Sequence, residues 1–71
     1  MTPQEIAKIQ TFLRRKFGNE RIKLSRRKQE DSAEVALGDE HIGVVYKDVD
    51  EGETSYAFNM AILEIDLDEL E

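Results

Sequence analysis

Apolar positions recur at intervals of three and four over the first seventeen residues and then change to alternation. Ile6, Ile9, Leu13 and Phe17, with Ala7 and Phe12 alongside, trace one stripe of a 3.6-residue period, which predicts a helix over residues 3–17. Both ends of that helix are legible. Thr2 is an N-cap, Pro3 suits the first helical position, and Glu5, three residues after Thr2, completes a capping box. Arg14, Arg15 and Lys16 fall in the last turn, where cations offset the negative end of the helix dipole, and Gly18 supplies a left-handed cap.

After Gly18 the period becomes 2. Residues 21–26 alternate as a half-buried strand, and 27–32, with no apolar side chain, form a solvated loop. Ala33, Val35 and Leu37 mark a second strand, Gly38-Asp39 or Asp39-Glu40 a tight turn, and residues 41–47 a third strand rich in β-branched residues. Residues 48–52 read as the next turn. The run 54–63 is read as a fourth strand, with Tyr56, Phe58, Met60 and Ile62 on one side and Ala57, Asn59, Ala61 and Leu63 on the other. Met60, Leu63, Leu67 and Leu70 also recur at 3, 4 and 3, a helical spacing that competes with this reading. Beyond residue 63 the apolar parity flips to Leu63, Ile65 and Leu67, so the acidic tail 64–71 either bulges into a further strand segment or leaves the sheet. The expected architecture is α+β in two layers: one N-terminal helix packed on an antiparallel sheet of about four strands, as a single domain over residues 1–71.

In that arrangement Tyr56, Phe58 and Met60 face the helix as core. Val45, Ala57, Asn59, Ala61 and Leu63 are left on the open side of the sheet. Small apolar residues there suit close packing by another molecule, and Ile65 and Leu67 in the tail suit docking into a groove with a basic rim. Such a rim exists in the sequence at Arg14-Arg15-Lys16, so a neighbouring copy is one source of it. A homodimer or another protein partner is therefore the first expectation. Size supports it. A core of 71 residues gives only about 3–5 kcal/mol net, and with no cysteine there is no disulfide or zinc-thiolate staple.

Charge adds a rival. The chain carries −6 overall, but residues 1–28 hold +7 and residues 29–71 hold −13. Arg14, Arg15, Lys16, Arg26, Arg27 and Lys28 either form a polyanion-binding patch for RNA or DNA or face the acidic half, within one chain or across a dimer. No RNP-type or KH-type signature accompanies the basic residues. Catalytic chemistry finds no constellation. His41 is the single histidine, read as a surface strand residue, and Ser25, Ser32 and Ser55 lack an activating context. Residues 48–52 fail the calcium-loop pattern, lacking a third ligand at Gly52 and a glycine at Glu53. The expectation is thus a non-enzymatic protein with no catalytic, cofactor-binding or metal-binding residues. No apolar run reaches the ~18–20 residues of a membrane span, and the opening residues lack the features of a secretory signal, so no membrane association and a cytoplasmic location are expected.

Four segments also carry a resemblance: Thr2 to Lys8, Lys16 to Asn19, Gly38 to Val44 and Ser55 to Leu67. Together they resemble a small family of uncharacterised alphaproteobacterial proteins, a domain of unknown function, over almost the whole chain. The resemblance implies a bacterial cytoplasmic protein and carries over no activity or catalytic residue.

Overall fold

A computed structural model describes residues 1–28 and 31–70 and orders them as α1 (Pro3–Phe17), β1 (Ile22–Arg26), β2 (Ser32–Leu37), β3 (Glu40–Asp50), β4 (Glu53–Asn59) and α2 (Glu64–Asp68). Gln29 and Glu30 of the expected loop and Glu71 of the expected tail lie outside the described residues. α1 starts on its capping box: Glu5 N–H donates to Thr2 Oγ1 (3.1 Å) and Thr2 N–H donates to Glu5 Oε1 (2.9 Å). It stops at Gly18, whose φ of 61° and ψ of 37° lie in the left-handed region.

The strands form one antiparallel meander in the order β1-β2-β3-β4. Glu51 and Gly52 both have positive φ, 51° and 79°, as a two-residue type I′ turn requires. Because that turn consumes only two residues, Asp48, Val49 and Asp50 stay in β3 and pair with Ser55, Thr54 and Glu53, where the sequence reading placed a turn. β4 is shorter than expected at its far end: pairing stops at Val44–Asn59. Close by, β3 carries a bulge, since Val35 pairs with Gly43 and Ala36 with His41, leaving Ile42 as the extra residue. A bulge bends its strand and disrupts the ladder there. Residues 60–63 follow outside the sheet, and the tail leaves it to form α2.

The same bulge corrects one placement. Val45, expected on the open side of the sheet, is 1% exposed and lies in the core. It pairs with Ala33 on one flank and Phe58 on the other, and directly paired residues share a face. Counting by twos from Ile42 puts Val44 and Tyr46 inward; the extra residue reverses that parity, so Gly43 and Val45 face α1 instead. Gly43 also leaves no room for a side chain, because a Cβ there would run into the Asn59 carbonyl oxygen and the Phe58 ring.

The core comprises Leu13, Ile22, Leu24, Ala33, Val35 and Val45, with Ile6, Ile9, Leu37, Ile42 and Phe58 packed against it. α1 lies chiefly along β1 and also closes the outer edge of that strand. Leu24 N–H donates to Gln10 Oε1 (3.0 Å), and Arg14 Nε–H donates to the Ile22 carbonyl (2.7 Å). Since the helix sits at the β1 side, it roofs β1 and β2 and leaves the β3–β4 half of the same face partly uncovered. The molecule is elongated, 46 × 23 × 22 Å.

Candidate interaction surface

The uncovered half of the helix side is a groove of about 390 Å³ lined by Lys8, Ile9, Phe12, Leu13, Val45, Tyr56 and Phe58. Ile9 and Leu13 reach it from the buried stripe of α1. Phe12 stands about 100° round the helix from Leu13 and so borders the groove rather than the core. It is 61% exposed. One end of the groove is marked by Phe17 and Phe58, whose ring centroids lie 6.4 Å apart at 57°. The other end is an ionic cluster across the cleft: Tyr56 hydroxyl donates to Glu5 Oε2 (2.6 Å), and Lys47 Nζ lies 2.7 Å from the same oxygen.

That cluster sets three titrations. The Lys47 ammonium, then the Tyr56 hydroxyl and the Thr2 amide, hold the Glu5 carboxyl down at about 2 from an ordinary 4.5. The bond to Glu5 in turn raises Lys47 above its usual range, and Tyr56 is raised because its hydroxyl proton is held by the carboxylate. Glu5 is therefore ionised at neutral pH with its charge balanced by Lys47, and the bases on the same flank of α1 are left to set the charge of the groove rim. Lys8 lines the groove, and Arg15 and Lys16 are exposed farther along α1.

The opposite side of the sheet holds a larger hollow, about 680 Å³, lined by residues that include Val44, Tyr46, Asn59, Ala61, Leu63 and Asp66. Ala57 and Asn59 are exposed on this side, in register with Tyr46 and Val44. Ala61 and Leu63 follow β4 and border the hollow, whereas Ile65 and Leu67 sit on α2. The C-terminal segment does not seal the reverse side. Met60, Ile62, Leu63, Ile65, Leu67 and Leu70 are between 54% and 82% exposed, although this is the most apolar part of the chain outside the core. α2 itself is opened by Asp66, whose carboxylate accepts the Leu63 N–H at 3.1 Å.

The six basic residues singled out by charge do not gather into one patch. Arg14 lies beside Ile22 at the start of β1, while Arg26, Arg27 and Lys28 come at and beyond its far end, about 13 Å along the strand at ~3.3 Å per residue. Arg14 is half-buried with its Nε on the Ile22 carbonyl, and Arg27 Nη1 reaches the Tyr46 hydroxyl at 3.5 Å; Arg15, Lys16, Arg26 and Lys28 are exposed. His41 is exposed on β3, in register with Ala36. No helix among the described residues is long and apolar enough to cross a membrane.

Sequence reasoning missed the groove and its lining by Lys8, Ile9, Phe12, Tyr56 and Phe58. One signal for it was available: Phe12 is a large aromatic off the helix stripe, which a helix fully roofing a sheet has no reason to carry. Comparison with known proteins adds a family and no chemistry. Residues 5–66 match the model of a family described as a protein of unknown function, DUF3126. No curated protein and no solved structure matches the chain.

Proposed function

The chain belongs to the DUF3126 family, and we propose that it works as a non-enzymatic protein-interaction module that associates with itself. The observation that carries this reading is the exposure of the apolar C-terminal segment. Six large apolar side chains between Met60 and Leu70 are each more than half exposed, and contiguous apolar surface of this kind marks an interaction site in a small protein. Two further features support it. α2 has five residues, far below the ~12–15 at which an isolated helix becomes even marginal in water, so its apolar stripe calls for a partner. The core has few fully buried side chains for a chain of this length, which leaves stability to be gained by association.

The test is molar mass by light scattering over a concentration series. A mass rising above 8.2 kDa is expected. A strict monomer at every concentration, with no partner recovered by pull-down, overturns the reading. Nucleic-acid binding is the alternative drawn from charge; it predicts capture of RNA or DNA that nuclease removes and that falls steeply with salt. The separation of the basic residues into two groups and the intramolecular bonds of Arg14 and Arg27 favour the protein-interaction reading over it.

A further inference from the structure

The groove between α1 and β4 and the exposed C-terminal segment have complementary chemistry. On the groove side, an apolar floor of Ile9, Leu13, Val45 and Phe58 is bordered by Phe12. Lys8, Phe12 and Lys16 follow one another at intervals of four along the flank of α1, with Arg15 beside them, so an aromatic lies between cations. Glu5, the carboxylate at the end of this groove, is already held by Lys47 and Tyr56. The rim is therefore basic.

On the other side, residues 63–70 carry Glu64, Asp66, Asp68 and Glu69 and no base. Leu63, Leu67 and Leu70 are spaced i, i+4 and i+7, as on one face of a helix with acids on both flanks; α2 itself spans Glu64–Asp68, with Leu63 as its N-cap and Leu70 in the turn beyond. This is the form of a helix-in-groove ligand: apolar anchors at helical spacing, charge along the borders.

Resting on the self-association proposed above, we infer that the α1–β4 groove receives the acidic segment 63–70 of a second copy of this chain. Leu63, Leu67 and Leu70 enter between Phe12 and Phe58, and the flanking carboxylates meet Lys8, Arg15 and Lys16. The second copy is favoured over the chain's own segment by topology. Leu63 and Asp66 border the hollow beside Val44 and Tyr46 on the reverse side of the sheet, whereas the groove lies on the helix side. A segment in its own groove would have to leave one layer of the sheet for the other within the four residues 60–63 that separate β4 from α2.

Paired charge reversals in the full chain test this. One variant carries Lys8→Glu with Lys16→Glu, which makes the rim acidic; the other carries Glu64→Lys, Asp68→Lys and Glu69→Lys, which makes the segment basic and keeps the Asp66 cap of α2. All five positions are exposed, so circular dichroism matching the parent is expected for both. Each variant alone sets like charges against each other and should weaken self-association at least about tenfold by light scattering. Mixing the two variants restores opposite charges in both contacts when the segment is donated between chains, so association should return towards the parent value. A mixture that stays as weak as its components means the contact is intramolecular or elsewhere, and overturns the inference. If the parent associates and both variants associate equally well, this contact is wrong while self-association stands. A parent that is monomeric throughout removes both.

Discussion

Glu5 serves three partners with one carboxylate. Oε1 accepts the Thr2 N–H that opens α1, and Oε2 takes the Tyr56 hydroxyl and the Lys47 ammonium. Its pKa is lowered to about 2 on folding, so folding favours the charged form. The stability it contributes is present above the unfolded value of 4.5 and is lost as pH falls through the folded value. Lys47 and Tyr56 are both raised, so their share is present below 10.5 and 10.0 and is lost as pH climbs past the folded values. Glu5→Gln separates the charge from the cap, because a glutamine at this position still completes a capping box. Denaturant unfolding of the parent should show stability declining between pH 4.5 and 2. In the variant that decline should be shallower, with the difference between the two proteins vanishing near pH 2. The cap was legible at Thr2 and Glu5 because it spans three residues. The bonds to Lys47 and Tyr56 were not, since they depend on the β3–β4 register that sets those two residues opposite each other.

At the level of elements, α1 does more than roof the sheet. Through Gln10 and Arg14 it acts as a side-chain substitute for a fifth strand along β1. Leu24 N–H points outward to Gln10, so its neighbours Lys23 and Ser25 point inward to β2. Gln10→Ala should therefore leave a half-buried donor without its partner and cost about 1–2 kcal/mol. Hydrogen exchange gives the sharper readout: the Leu24 amide should exchange faster, while those of Lys23 and Ser25 keep their protection. The elements themselves were readable from period alone. α1 was placed over residues 3–17 by its stripe and caps, and four strands by alternation and turn residues. What local pattern did not reveal was the bulge at Ile42, because two adjacent valines fit either parity. That single extra residue moved Val45 from the proposed surface to the core and so altered the candidate site more than the fold.

For the whole molecule, the question is how much residues 64–71 contribute to folding of one copy. The described side chains of this segment are exposed, and surface changes of this kind usually lie within about 0.5 kcal/mol. A chain lacking residues 64–71 should therefore unfold at the parent's denaturant midpoint in dilute solution. At high concentration the parent's midpoint should rise by mass action, and that of the shortened chain should stay fixed. The exposed tail was legible from its parity flip and acidity. The groove it is inferred to fill was not, because it arises from the sideways position of α1, over β1 rather than over the middle of the sheet.

That sideways position has one more consequence. From Thr54 to Leu63 the chain has no charge, proline or glycine, the composition that in a sheet open at both borders seeds fibres by strand-on-strand accretion. Here Gln10 and Arg14 already take up the Leu24 N–H and the Ile22 carbonyl on the β1 border, so strand addition is biased to the β4 border. The helix that leaves one half of the sheet bare thereby hinders accretion at the other.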